Sequence, residues 1–361
     1  MRVWSFAFLG AAVFAATGAT GGIAVADAAP RISGPFTHEN LAVYLVHGAD
    51  APGPVPLTLQ EAMAKGQVQV IETGRVNELQ IENTGTDEVF VQAGDIVKGG
   101  RQDRVLTVSL LLPPKSGRMP IASFCVEHGR WSARGKEDQF KFSSAKEAMP
   151  SVAALAAMIT PPSDPQPHAG IGASNPGTAR AARGNDTVAD KQRKVWDSVA
   201  ATQHKLSRGL NAGVAAPQSA TSLQLSLENE KLATARADYI RALEPASEKD
   251  RDVVGYIIAI NGNFVAGNVY SSNALFRKMW SKQLAAGVTE AIGEKVQAAA
   301  PPAAPAAPAA TEFLAHAEKG SARERAITQT MRQEVRDSDD ALYSEARTAS
   351  GRWVHRSYLA K

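Results

Sequence analysis

The chain of 361 residues holds one cysteine, Cys125. A single thiol closes no intrachain disulfide, so the fold must rest on its core. An excess of one charge sign is also missing: 39 Lys and Arg stand against 36 Asp and Glu. Tracking a phosphate backbone needs a one-sided basic surface, and this near-balance argues against a nucleic-acid partner. After the N-terminus no apolar run approaches the ~20 residues of a membrane helix, so no stable membrane span is expected. Metal-ligand spacings are lacking too. No H-x-H, H-E-x-x-H or C-x-x-C pattern occurs, and the histidines are scattered singly. The sequence therefore points to no metal site and no cofactor.

The first thirty residues are of another kind. One early charge, Arg2, precedes an apolar run from Val3 to about Ala16, and small residues then offer Ala24-Val25-Ala26 and Ala26-Asp27-Ala28 as A-x-A cleavage sites. This is the layout of a cleavable signal peptide over residues 1–28, and a periplasmic or secreted protein is expected. The competing reading, an N-terminal membrane anchor, is disfavoured by the shortness of the run and its glycines. In an oxidising compartment a lone thiol is safest when buried, and Cys125 reads as structural.

From Pro35 to Trp131 the pattern is of short strands rich in Val, Ile and Phe, bounded by Gly, Pro, Asn or Asp, with a short helix beginning at Thr58. "SSAKEAMPSVAALAAMIT" reads as helical as far as its proline allows, and 161–187 as a long Pro- and Gly-rich surface insertion. Helices are expected around Trp196, from about Leu223 to Leu243, and after Ser272. "VVGYIIAINGNFVAGNVY" is a hairpin turning at Asn261-Gly262, too apolar to stand without a sheet to join. The expected fold class is α+β: a β-rich sandwich or partly closed barrel with packed helices and long surface insertions. The main domain spans 29–295. A Pro/Ala linker at 296–310 leads to a C-terminal segment, 311–361, with a helix and strands.

Two segments concentrate the chemistry. In "GDIVKGGRQDRVL", Gly99-Gly100 precedes Arg101, Gln102, Asp103 and Arg104. Glycine amides can face an anion and arginines can grip one bidentately, though a glycine pair with local Arg–Asp pairing is also an ordinary solvated turn. In "SFCVEHGRW", strand alternation puts Cys125 beside Glu127 and turns His128 to the other face. A neighbouring carboxylate holds a thiol protonated, the reverse of what a nucleophilic cysteine needs. The strand "RVLTVSLLLPP" and a turn at 115–117 separate the segments, so antiparallel pairing brings Arg104 level with Glu127 or His128. Arg101, Arg104, Glu127 and Arg130 should then converge, with Trp131 as a stacking surface. Arg101, Gln102, Asp103, Arg104, Glu127, His128, Arg130 and Trp131 are the candidate ligand-binding residues. A structural Arg–Glu network is the bland alternative.

These strings resemble a known family. "FVQAGDIVKGGRQDRVLTVSLLLPP", Cys125-Val126-Glu127-His128-Gly129-Arg130-Trp131 and the Gln192-x-x-Val195-Trp196 helix are similar to the ARG and rhodanese-phosphatase-superfamily-associated proteins, an uncharacterised bacterial and archaeal group. Asp95 stands where that family more often has glutamate. The resemblance implies a link to ADP-ribose or nucleotide metabolism and carries over no activity. The expected function is thus an exported binding or scaffold protein with a small anionic, nucleotide- or ADP-ribose-like ligand. The alternative is a hydrolase acting on an anionic substrate through Glu127 and its arginines.

Overall fold

The computed structural model describes residues 30–135, 137–160, 187–296 and 302–361. The segment expected to be a signal peptide, 1–28, and nearly all of the expected 161–187 insertion fall outside the described residues.

In chain order, β1 (Arg31–His38) and β2 (Leu41–His47) form a hairpin, followed by β3 (Leu57–Thr58) and α1 (Leu59–Ala64). Thr58 starts α1 through a reciprocal capping box. Its hydroxyl accepts from Glu61 N at 3.1 Å, and the Glu61 carboxylate accepts from Thr58 N at 2.8 Å. Then come β4 (Val68–Arg75), β5 (Glu78–Asn83), β6 (Val89–Val91), β7 (Asp95–Gly99), β8 (Arg104–Leu106), β9 (Leu110–Leu112), β10 (Gly117–Cys125) and β11 (Phe142–Ala148). Four helices follow: α2 (Val152–Ile159), α3 (Val188–Gly209), α4 (Leu223–Leu227) and α5 (Glu230–Leu243). The hairpin β12 (Val253–Ile260) and β13 (Asn263–Tyr270) leads into α6 (Asn273–Gly293) and α7 (Ala307–Ala317). The chain ends in β14 (Ser321–Ala326), β15 (Met331–Asp337), β16 (Ala341–Thr348) and β17 (Trp353–Ala360).

The strands make an eight-stranded antiparallel sheet, β1-β2-β12-β13-β17-β16-β15-β14, a six-stranded half-barrel, β11-β7-β8-β10-β5-β4, and a small sheet, β3-β6-β9. The class is α+β, as the strand pattern implied. The Asn261-Gly262 turn takes positive φ at both residues, 51° and 80°, as a tight hairpin requires. Its strand β12 joins β2, and β13 joins β17. Strands β2 and β12 are buried along their whole length. The reason is that the large sheet is covered on both faces: Val43 and Leu45 point into the main core, while Ala42, Tyr44 and Val46 pack with Ala310 and Leu314 of α7. A strand with no wet face reads as a continuous apolar run. Helix α6 lies in the main core, with Leu275, Phe276, Met279 and Trp280 buried.

Three local expectations are corrected. Residues 142–148 are strand β11, paired with β7, and the helix begins only after Ser151, whose hydroxyl accepts from Ala154 N. "RVLTVSLLLPP" is not one strand: β8 pairs with β10 in the half-barrel, and β9 pairs with β6 in the small sheet. The helix expected over 223–243 is two, because the Asn229 side chain accepts from Lys231 N and Leu232 N and restarts the helix. The last four residues of the Pro/Ala stretch, 307–310, open α7, and the Tyr44 hydroxyl donates to the Pro305 carbonyl.

Candidate functional site: a buried arginine–carboxylate cluster

Gly99 and Gly100 both take positive φ, 121° and 59°. A Cβ at Gly99 would lie 2.8 Å from the Lys141 carbonyl, and one at Gly100 would lie 2.3 Å from the Phe142 ring. The glycine pair is therefore demanded by close passage against β11. The backbone amides here are already taken by the chain's own groups, two carboxylates and two carbonyls. Gly99 N donates to Asp103 Oδ1 at 3.0 Å, Gly100 N donates to the Asp138 and Lys141 carbonyls, and Arg101 N donates to Glu72 Oε2 at 3.2 Å.

Antiparallel pairing of β8 with β10 sets Arg104 opposite Cys125, two residues before the position the symmetric count gave. The chain bends after Cys125, and this bend brings Glu127 and Arg130 to the same end of the half-barrel. Arg130 grips Glu127 bidentately, Nε to Oε1 at 2.8 Å and Nη2 to Oε2 at 2.6 Å. The Ser219 hydroxyl also donates to Glu127 Oε1. Burial acts to raise the Glu127 carboxyl, but Arg130, Ser219 and Arg134 outweigh it and hold it below the ordinary carboxylate value. Glu127 is thus an ionised anchor with its oxygens occupied, which suits orienting a guanidinium better than giving up a proton.

Asp103 is fully buried and accepts from Arg134 at 3.0 and 3.3 Å and from Ser222 Oγ at 3.3 Å. Here burial wins: it pushes the Asp103 carboxyl up, and Arg134 with the Gly99 amide offsets only part of the rise. Arg104, also fully buried, donates to the Gln102 carbonyl at 2.9 Å and lies 3.5 Å from Glu72, while its Nε has no partner among the described residues. Arg134 reaches Glu137 at 2.9 Å and stands 4.0 Å from Glu127. Three of the arginines are therefore matched by carboxylates. Arg101 differs. Its guanidinium lies 5.6 Å from the centroid of the Trp131 ring, which is 40% exposed, and no described carboxylate pairs with it. Arg104 approaches the same ring at 5.3 Å.

Of the candidate residues, Asp103, Arg104, Glu127 and Arg130 sit together, with Arg101 and Trp131 at the rim and Gln102 buried, its backbone carbonyl accepting from Arg104. His128 turns away: its ring meets Trp196 edge-on at 4.5 Å, and its backbone pairs with the Thr221 hydroxyl. Glu72, Arg134, Glu137, Ser219 and Ser222 come from segments with no pattern to mark them. Gln192 of α3 was visible as part of a motif, and its role is plain in the structure. Its amide pairs with Cys125 N and Cys125 O, both at 2.9 Å, completing the strand edge as a neighbouring backbone would. Trp196 Nε1 donates to the Glu127 carbonyl at 3.1 Å. The Cys125 thiol is buried and pushed up to about 11 by that burial, as a structural cysteine would be.

A second polar cluster went unmarked in the sequence. Between the large sheet and the β6–β7 turn, Tyr270 Oη donates to Gln92 Oε1 at 3.0 Å and Asn268 Nδ2 to Tyr256 Oη at 2.7 Å, while His355 bridges Asn268 Oδ1 and Ser109 Oγ at 2.9 and 3.1 Å. A cavity of about 40 Å³ lies beside it, room for a few waters. Burial pulls the His355 pKa down to about 3. Asn268 Oδ1 only accepts, so Nε2 of the neutral ring carries the proton and Nδ1 accepts from Ser109. A base so weak is poorly matched to proton abstraction at neutral pH, and the Ser109–His355–Asn268 line serves as a cross-brace.

Fold and site together define an α+β protein, built on an eight-stranded sheet and a half-barrel with a small third sheet, in which the polar strand ends at Arg104 and Cys125 are closed by internal ion pairs. Residues 29–359 match the family profile described as the ARG and Rhodanese-Phosphatase-superfamily-associated Protein domain, and the chain belongs to that family. The match runs through the Pro/Ala stretch to the last strand. No curated protein and no solved structure matches the chain.

Proposed function

We propose that the protein is an exported, non-catalytic binding protein of the cell envelope that holds a small anionic ligand bearing a ring. Export rests on the N-terminal sequence pattern. The ligand reading rests on one observation: among the clustered arginines, Arg101 is the one without a carboxylate partner among the described residues, and it lies over the exposed Trp131 ring. An indole face with an unneutralised guanidinium beside it suits a ligand that offers both a π-surface and a negative charge. Behind it, Arg130–Glu127 holds the loop after β10, which carries Trp131, and Arg134–Asp103 ties that loop to the one between β7 and β8, which carries Arg101.

The test is a calorimetric screen of the mature protein against ADP-ribose, nucleotides and acidic sugars, repeated with Trp131→Ala. The reading expects at least one saturable ligand whose affinity falls about tenfold when the ring is removed. A panel with no binder, or a binder indifferent to Trp131→Ala, would refute it. Mass spectrometry of the mature N-terminus tests export, with cleavage near Ala26 or Ala28 expected.

A further inference from the structure

Helix α5 reads "EKLATARADYIRAL". Residues three and four apart share a helix face, so Ala233, Ala237 and Ile240 form a low apolar strip with Arg236 and Arg241 along it. Across from it, α6 presents Lys278, Ser281, Lys282 and Ala285, and β11 contributes Lys146. Between these elements runs a cleft of about 650 Å³, within the ~300–1,000 Å³ range of small-ligand sites. Five cationic side chains line it, and Glu147 is the one carboxylate among its lining residues. A neighbouring cleft of about 610 Å³ has no such bias: Glu39 and Asp238 stand against Arg241 and Lys295.

The cations are neutralised unequally. Lys282 donates to Asp95 at 2.6 Å, and Lys278 to Glu61 at 2.9 Å. Arg241 pairs with Asp238 at 3.1 Å, but both are largely exposed and such a pair is weak. Arg236 is buried on α5 and donates to the Leu227 carbonyl at 2.8 Å, and its nearest carboxylate, Glu147, is 3.9 Å away. Glu147 is itself engaged by Gln224 at 3.0 Å. Lys146 is exposed and has no carboxylate partner among the described residues. A desolvated, under-neutralised guanidinium and a free ammonium therefore face one cavity with an apolar strip along its wall.

We propose that this cleft binds an amphiphilic anion, a phosphate group carrying an apolar ring or chain, with Arg236 and Lys146 on the phosphate and Ala233, Ala237 and Ile240 against the apolar part. The site shares no residue with the Trp131 face and stands independently of the function proposed for it. A soluble aryl phosphate and an anionic lipid headgroup present the same chemistry.

The experiment titrates 1-naphthyl phosphate into the mature protein by calorimetry and, in parallel, sediments the protein with vesicles of phosphatidylglycerol in phosphatidylcholine. Both arms are repeated with Lys146→Glu/Arg241→Glu, which reverses two surface charges and spares the buried Arg236. Binding in either arm should weaken at least about tenfold in the double variant and fall with added salt. Naphthyl phosphate binding assigns the soluble source, and vesicle binding alone assigns the lipid headgroup. No binding in both arms overturns the proposal, as does binding unchanged in the double variant. Loss of naphthyl phosphate binding in Arg101→Ala would place the ligand at the Trp131 face and also overturn it. The melting temperature of the double variant should stay within about 1 °C of the parent, as surface changes usually do.

Discussion

Arg130→Ala removes one partner of a pair whose other partner is sealed from water. The Glu127 side chain is 0% exposed and that of Arg130 13%. After truncation Glu127 keeps the Ser219 hydroxyl and Arg134 at 4.0 Å. Breaking a buried ion pair by deleting one member costs about 3–5 kcal/mol. The remaining partners, and the water that can enter through the vacated rim, place this case at the lower end, about 3 kcal/mol. For a chain of this size each kcal/mol moves the melting temperature by about 2 °C, so a fall of about 6 °C is expected at pH 7. Differential scanning calorimetry would read it, with Arg193→Ala as the exposed control, expected to change by less than about 1 °C. Glu127→Gln/Arg130→Ala should recover part of the loss, because no uncompensated charge remains. The sign with pH is fixed as well. Glu127 is held below its ordinary value, so the pair's contribution is present above the unfolded carboxylate range and is lost as pH falls through the lowered value. The difference between parent and Arg130→Ala should therefore shrink in acid. A melting temperature for Arg130→Ala within about 1 °C of the parent at pH 7 would refute the claim that this pair closes the strand end.

Other outcomes follow from neighbouring observations. Burial raises the Glu290 carboxyl to about 7, so the stability it contributes is full below the unfolded carboxylate range and lost as pH rises through about 7. Glu290→Gln, which still accepts from Val152 N, should melt higher than the parent at pH 8 and level with it near pH 4.5, by calorimetry. Gln192→Ala strips the Cys125 backbone of both partners and should cost about 1–3 kcal/mol in urea denaturation with the slope unchanged. The Cys125 thiol, held protonated near neutral pH, should resist a thiol reagent in the folded protein and react at once in denaturant; fast labelling of the folded form would contradict its burial.

The sequence made the central hairpin of the large sheet and the ends of the polar strings legible, for physical reasons visible in particular residues. Alternation and turn chemistry mark strands well, and Asn261-Gly262 could only be a hairpin. Residues 142–148 were misread because their alternation, with Phe142, Ala145 and Ala148 buried, is broken by a bulge against β7. The split of "RVLTVSLLLPP" between two sheets is invisible locally, since both halves are buried and equally apolar. At the site, proximity in sequence revealed Arg104, Glu127 and Arg130. The groups that neutralise or orient them are long-range: Glu72 reaches Arg104 across the half-barrel, and Ser219 and Ser222 arrive from the loop before α4. Nothing in a run such as "QVQVIETG" distinguishes a glutamate destined for a buried arginine from one destined for water. The same blindness hid the Ser109–His355–Asn268 line, whose members lie far apart in sequence, before β9, in β17 and in β13.

The most direct test of the account is a calorimetric titration of Arg101→Ala with the tightest ligand found in the anionic panel, beside the parent protein. Arg101 is at the rim and unneutralised, so its removal should leave the melting temperature nearly unchanged while weakening binding at least about tenfold. Affinity unchanged in Arg101→Ala would contradict the account and leave the arginine–carboxylate cluster as a purely structural lock.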